Sequence, residues 1–322
     1  MNCVPVLMMG FNRPDLTRGL LDCVRKACPK KLYFAVDGSR DGCPQEADAV
    51  AKVRTIAKEI DWPCEIRTRF RQQNMGCAKA IPDAISWFLS EEPYGIILED
   101  DIRPTEAFFR YETELLERYR DDPRIGMVSG FNPYGFQTSR TDSYHFSNRV
   151  DIWGWGTWSR VWKDYSLDIS SYIPKIDQLV GGFTDNPRMR TMMRRYIRAV
   201  ESEPTTWDVQ FSIMHISKGY LAAVPRRRMT GNLGLGDSRG VHTVGYCYDD
   251  VCYRDVWNGD EEIVHPRNVA LDDKAVSLTE RRFCGIFPRG LTYLGSKLPW
   301  TRKACDCVGR VGEATLPVLF RL

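Results

Sequence analysis

The sequence predicts an α/β fold, a mostly parallel sheet flanked by helices. Three observations carry this. Short apolar runs at Val4–Met9, Lys31–Val36 and Ile96–Leu98 read as strands buried on both faces. Stretches with helical spacing lie between them. Each run then breaks off at a turn rich in Asp, Asn or Gly. Strands alternating with helices from residue 4 to about 129 predict parallel pairing with helices on the faces.

The elements follow in order. After strand one, Gly10-Phe11-Asn12-Arg13-Pro14-Asp15 turns into a helix lined by Leu16, Leu20, Cys23, Val24 and Ala27. Strand two ends at Asp37-Gly38-Ser39, and Val50, Val53, Ala57 and Ile60 mark the next helix. Cys64–Phe70 alternates as strand three, followed by the turn Asn74-Met75-Gly76 and a helix with Ile81, Ile85, Phe88 and Leu89. Ile96–Leu98 then runs into Glu99-Asp100-Asp101, and Ile102-Arg103-Pro104-Thr105 leads to a helix carrying Phe108, Tyr111, Leu115 and Tyr119. Ile125–Ser129 is a further strand. Past Gly130 the texture changes, with Trp and Gly concentrated at Val150–Trp158. Pro187–Ser202 reads as a basic helix, Trp207-Asp208 opens another, and Tyr220–Val224 is a short strand. Arg226-Arg227-Arg228 then precedes a glycine-rich loop, Gly231–Gly236.

Composition narrows the classes. The chain has 322 residues, 43% hydrophobic and 27% charged, enough for a large core. A net charge of +3 gives no reason to expect nucleic acid. Eleven cysteines cannot all pair, and Cys23, Cys64 and Cys77 sit in apolar contexts. Buried thiols in a reducing compartment are expected. Cys305-x-Cys307 is a lone tight pair and a weak zinc signal. There is neither a signal-like segment nor an apolar stretch of spanning length, so the expected location is the cytoplasm.

The chemistry concentrates at strand ends. Open α/β sheets bind ligands outside the carboxyl ends of their strands. Three adjacent carboxylates, Glu99, Asp100 and Asp101, repel one another and suit a hard divalent cation with a diphosphate. An acidic turn capping the following helix is the plain alternative. Asp37 reads either as a partner for a base or ribose or as an Asx-turn before Gly38. Arg13, Asn74 and Lys79 fall on the same predicted edge, where a nucleotide contact competes with ordinary turn and surface roles. Trp153, Trp155 and Trp158 read either as stacking walls for a sugar or as a glycine-bent aromatic core. Asp208 is either a helix cap or a general base beside Trp207. His242 is either a surface histidine or a neutral metal ligand. The Arg226–Arg228 run is either solvated or a closure over phosphates.

Taken in order, Pro5–Asp15, Asp37-Gly38-Ser39, Asn74-Met75-Gly76-Cys77 and Ile97–Asp101 resemble nucleotide-sugar glycosyltransferases of the GT-A (Rossmann-like) fold. Within that fold the chain is similar to bacterial family-two-like transferases and to N-acetylglucosaminyltransferase I, over roughly residues 4 to 245. The resemblance implies a nucleotide-sugar site built from Phe11, Asn12, Arg13, Asp37, Asn74, Lys79, Glu99 and Asp100. It implies Asp101, with His242, as ligands of Mn²⁺ or Mg²⁺, and Asp37 as the reader of a uracil. The Trp-Asp helix start implies Asp208 as catalytic base. N-acetylglucosaminyltransferase I continues Asp-Trp where this chain has Val209-Gln210. Asn232–Gly236 and Val241-His242-Thr243 resemble a loop of the bacterial relatives. The Golgi relatives carry a membrane anchor with no counterpart in this sequence.

The resulting expectation is a metal-dependent, inverting transfer of a sugar from a nucleoside diphosphate sugar, UDP favoured, to a saccharide or lipid-linked acceptor hydroxyl. Residues 1–130 would be the nucleotide-sugar-binding half, 131–250 the acceptor and catalytic half of the same domain, and 251–322 a C-terminal extension. Trp153, Trp155 and Trp207 would shape the sugar and acceptor sites, and Asp151 is the reserve base. The basic C-terminal tail suits peripheral contact with an anionic membrane. A sugar nucleotidyltransferase would carry a glycine-rich loop after strand one, which Gly10-Phe11-Asn12-Arg13-Pro14 is not. A non-catalytic carbohydrate-binding protein would not need acids at several strand ends.

Overall fold

The computed structural model describes residues 3–202, 204–234, 237, 239 and 256–285. The first half of the chain gives β1 (Val6–Gly10), α1 (Pro14–Ala27), β2 (Lys31–Val36), α2 (Pro44–Thr55), β3 (Glu65–Phe70), α3 (Cys77–Glu91) and β4 (Tyr94–Glu99). Next come β5 (Ile102–Pro104), α4 (Glu106–Arg118), β6 (Ile125–Ser129), β7 (Tyr144–Ser147), β8 (Trp155–Trp158) and α5 (Ser159–Trp162). The remainder gives α6 (Ile176–Phe183), α7 (Pro187–Ser202), α8 (Asp208–Lys218), β9 (Leu221–Pro225), β10 (Thr230–Asn232) and α9 (Asp273–Gly285).

The local chemistry of the elements is simple. Pro14 and Pro44 open α1 and α2, where a missing N–H costs nothing and the fixed φ already suits a helix. Leu16, Leu20, Leu21 and Val24 form the buried stripe of α1. The Thr105 side chain accepts from the Phe108 amide and so caps α4. The central strands β1, β2 and β4 are buried along most of their length, as continuous apolar runs should be.

The eight-stranded sheet has the order β3-β2-β1-β4-β8-β6-β9-β7. Its first four strands pair in parallel. Their register matters for function: Gly10 lies opposite Val36, Val36 opposite Phe70, and Met9 opposite Glu99. The chain therefore leaves all four strands at one edge. Helices flank the sheet, and its core runs continuously through strands from both halves of the chain. A second apolar cluster joins α6, α7 and α8 with Phe283 of α9. No helix among the described residues is long and apolar enough to cross a membrane.

Two features correct the expected topology. The strand after β4 in space is β8, antiparallel to both β4 and β6. The Trp-Gly segment is thus a central strand. A Cβ on Gly156 would fall 2.7 Å from Glu112 Oε2 of α4, so glycine lets that helix close on the sheet. Trp155, its neighbour, fills the opposite face against Phe211 of α8, with ring centroids 5.0 Å apart. Second, Ile102–Pro104 is no mere lead-in to a helix. It pairs antiparallel with β10, placing Asn232 opposite Ile102 in a two-stranded sheet beside the acids.

The thiols also differ from expectation. Cys23, Cys64 and Cys77 are half-buried, and Cys3 is the buried one among the free cysteines described. Cys305 and Cys307 lie outside the described residues, as does the basic tail.

Candidate active site

The acids at the end of β4 meet a cation from the end of β1. The Arg13 guanidinium donates through Nε to Asp100 Oδ2 at 3.2 Å and through Nη2 to Asp101 Oδ2 at 3.1 Å, and it also holds Asp100 Oδ1. This fork is the bidentate geometry that arginine suits best. Asp100 is 3% exposed. Burial pushes its carboxyl up to about 6, with Arg13 pulling the other way. Burial pushes Glu99 further, to about 8, with Asp101 and Asp100 adding to the rise. Burial opposes the Arg13 charge, but Asp100 and Asp101 outweigh it and hold the guanidinium above its ordinary value. Arg103 closes the turn from below, donating to the carbonyls of Asp100, Ile102 and Leu16.

The loop after β10 covers Asp101. The Leu233 amide donates to the Asp101 carbonyl at 2.8 Å, and Asn232 Oδ1 accepts from the Gly234 amide at 2.7 Å. A Cβ on Gly234 would stand 2.1 Å from Asp101 Oδ2.

Asp37 at the end of β2 has a different occupation from the one expected. Its carboxylate accepts from the amides of Gly38 at 2.9 Å, Met75 at 3.1 Å and Gly76 at 3.1 Å. Asn74 Nδ2 donates to both Asp37 Oδ2, at 3.1 Å, and the Gly38 carbonyl, at 2.8 Å. Asp37 and Asn74 therefore clamp the loop between β3 and α3. The Asp37 carboxylate is thus engaged by four donors from its own turn and from the loop after β3.

The second half of the chain delivers Asp208 to this edge. Asp208 is the first residue of α8, 5% exposed, and Thr206 Oγ1 donates to its Oδ1. Its charge acts on Glu99, on the Cys77 thiol and on the Tyr165 hydroxyl. Burial, with Glu99, Asp208, Asp101 and Asp37 adding to it, pushes the Cys77 thiol far up and keeps it protonated. Arg13, Asp100 and Asp101 are joined directly, and the Asp208 charge reaches Glu99 beside them.

Other expected residues fare differently. Phe11 is half-buried under the Arg40 guanidinium, 5.9 Å from its ring centroid, and Asn12 Nδ2 donates to Glu46 at 3.1 Å. Lys79 is exposed on the first turn of α3. Trp153, Trp155 and Trp207 do not present open stacking faces. They are 7%, 1% and 2% exposed, and Trp155 stacks on Trp207 at 5.8 Å. Tyr165 stacks on Trp162 at 4.4 Å and donates to the Trp207 carbonyl, so the aromatics brace the entry to α8 from within. Arg226 and Arg228 bind the carbonyls of Arg140 and Pro133, and Arg227 between them is exposed. Asp151 is buried, and burial raises its carboxyl against the pull of Arg149. His242 lies outside the described residues.

Three contributors escaped the sequence reading. Arg71 follows β3 at the same edge, paired with Asp83, and the Asp37 charge reaches it. The strand-end rule that found Asp37 could have found it. Cys77 stands in a quoted motif without an assigned role. Thr206 carried no signal, because its bond to Asp208 depends on the turn into α8.

For a cation, no cluster of three or more His, Cys, Asp or Glu groups is arranged among the described residues. Among the described residues, Arg13 donates to Asp101 Oδ2.

No family model matches the sequence, and no curated protein does. Among solved structures the fold is similar to HddC from Yersinia pseudotuberculosis, at 11% identity and TM-score 0.33, over 53% of this chain and 86% of that one. It is also similar to the glycosyltransferase GlyE of Streptococcus pneumoniae TIGR4, at 9% identity and TM-score 0.32, over 69% of this chain. The chain spans 45% of GlyE's length. A glycosyltransferase involved in glycosylation of the major capsid of PBCV-1 is similar at 9% identity and TM-score 0.22, over 68% of this chain and 94% of that one. These likenesses are distant and concern the fold alone.

Proposed function

We propose that the protein is an inverting glycosyltransferase of the GT-A type, acting on a nucleoside diphosphate sugar with UDP as the favoured nucleotide. One observation carries the reading. Asp208, from the second half of the chain, comes within electrostatic reach of an acid cluster at the carboxyl edge of the sheet. Direct displacement at an anomeric carbon needs a carboxylate that is separate from the group meeting the diphosphate. Asp208 and the Glu99–Asp101 turn supply that pair.

The donor set suits a divalent cation that arrives with the diphosphate. Mg²⁺-type ions are commonly bound by one or two carboxylates plus substrate phosphates, keeping several waters. Asp101 would hold it, and Arg13 fixes Asp101 through Oδ2. Bound there, the cation would neutralise the leaving diphosphate as a Lewis acid. Arg13 keeps Asp100 and Asp101 from repelling one another before the substrate binds. Thr206 aims the Asp208 carboxylate. Asp208 takes the proton of the acceptor hydroxyl as its oxygen bonds to the anomeric carbon. The bond from that carbon to the diphosphate oxygen breaks, and the diphosphate leaves with the electron pair.

The test is turnover in Asp208→Asn, which keeps shape but cannot take the proton. With UDP-sugars and Mn²⁺, donor binding should match the wild type while nucleotide release falls by ~10²-fold or more, the usual effect of removing a general base. A wild-type protein that no nucleoside diphosphate sugar stabilises against heat would overturn the proposal.

A further inference from the structure

The outer face of α7 takes no part in the chemistry described so far. The helix carries Arg188, Arg190, Arg194, Arg195 and Arg198, and Glu201 near its end is its one acid. Met189, Met193, Ile197 and Val200 form its buried stripe. The arginines divide by position. Arg190 and Arg194 are half-buried beside that stripe and are matched by acids, Arg190 with Asp185 at 3.0 Å and Arg194 with Asp177 at 2.6 Å. Arg195 and Arg198 are exposed, and neither has a hydrogen bond or ion pair among the described residues.

The face extends onto α9. Arg188, exposed in the first turn of α7, donates through Nη1 to the Cys284 carbonyl at 2.8 Å, which sets the last turn of α9 beside it. Leu278, Arg281 and Arg282 are spaced three and four apart on α9, hence on one face of that helix. All three are exposed, Leu278 at 37%. Along the axis of α7, Arg188 and Arg198 stand ~15 Å apart. Between them Thr191, Met192 and Arg195 line an open hollow. Outward cations thus alternate with partly exposed apolar side chains, and among the described residues no acid pairs with those cations.

We propose that this face is the protein's contact with an anionic phospholipid bilayer. Unmatched guanidinium groups favour an anion, and they hold phosphate oxygens through paired N–H donors. An acidic protein segment would satisfy the arginines but set its solvated carboxylates against Met192 and Leu278. The headgroup boundary of a bilayer takes both kinds of side chain, phosphates for the cations and acyl surface for the apolar groups. Such a contact is independent of the transfer chemistry, since none of these residues belongs to the acid cluster.

Sedimentation of the full chain with phosphatidylcholine vesicles, with and without phosphatidylglycerol, tests the contact. Binding should need phosphatidylglycerol and fall as salt rises to ~1 M, where the screening length is only ~3 Å. Arg195→Gln should lower the ratio of bound to free protein ~5-fold, and Arg195→Gln with Arg198→Gln ~25-fold, the usual worth of one and two cations at an anionic surface. Lys26→Gln with Lys58→Gln removes the same charge from exposed positions in the first half of the chain and should leave binding unchanged. Absence of binding, binding without phosphatidylglycerol, retention by the double arginine variant, or equal loss in the two double variants overturns the proposal. So does tighter binding to poly-glutamate than to the vesicles, which would give the face to an acidic protein. No nucleotide is present, so the result leaves the transferase reading untouched.

Discussion

At the residue scale, the most exposed claim concerns Gly234. The residue sits just past β10, and any Cβ there would meet Asp101 Oδ2 at 2.1 Å. No side chain tolerates that approach, so something must move. Arg13 holds that same oxygen, so any shift of the Asp101 carboxylate away from residue 234 breaks this bond. Gly234→Ala should push Asp101 off Arg13 and weaken Mn²⁺-dependent UDP binding by at least ~10-fold, equivalent to ~1.4 kcal/mol. Gly181 provides the control, since nothing lies within 4 Å of a Cβ there. Gly181→Ala sits inside α6 and should leave binding unchanged while stabilising the helix slightly. Calorimetric titration of both variants decides the matter. Equal affinities would show that the loop after β10 does not control Asp101.

At the scale of elements, the Asp37 clamp joins the ends of β2 and β3 to the start of α3. Its carboxylate collects donors from Gly38, Asn74, Met75 and Gly76. Asp37→Ala leaves those donors without their acceptor and should cost ~1–3 kcal/mol of stability, the usual cost of an unmet polar group. Amide exchange at Met75 and Gly76 should speed up well beyond any change in β1. Unchanged protection at those two amides, with a selective loss of UDP over GDP binding, would return Asp37 to the role of base reader. The clamp also marks where sequence reasoning stops. Lys31–Val36 was legible as a strand because a parallel sheet leaves apolar residues no wet face to alternate against. The strand-end rule then put Arg13, Asp37, Asn74 and Glu99–Asp101 on one edge. Their partners were not legible: Arg13 and Asp100 are 87 residues apart, and only the β1–β4 register brings them together. Trp155–Trp158 was missed as a strand for a related reason. Gly156 makes sense only against Glu112, and Trp155 only against Phe211. Likewise β5 and β10 are three residues each, too short for any periodicity to show.

At the scale of the whole molecule, two buried ionisable groups contribute to how stability responds to pH. Glu112 of α4 and His215 of α8 pack against Gly156 and Gly126 in adjacent strands, both at 0% exposure. Neither side chain has a hydrogen-bond partner among the described residues. Burial holds the Glu112 carboxyl far above its ordinary value, so it stays protonated. Burial pushes His215 down to about 3, so it stays neutral. The signs differ. The unfolded chain releases the Glu112 proton above the ordinary pKa of ~4.3 while the native state keeps it, so stability falls as pH rises from there. The unfolded chain protonates His215 below ~6.5 while the native state does not, so stability falls as pH drops from there toward about 3. Between those two ordinary values the slopes oppose and cancel. Above that window Glu112 contributes up to ~1.4 kcal/mol per pH unit, in the same direction as Glu99, whose carboxyl is also raised, to about 8. Glu112→Gln removes the titration and keeps the shape. It should flatten the alkaline limb by up to that amount while leaving the acid limb, set partly by His215, in place. Urea denaturation from pH 5 to 9 measures both limbs. Parallel curves for wild type and variant would mean that Glu112 titrates alike in the folded and unfolded states, and that the packing of α4 on β8 opens to water.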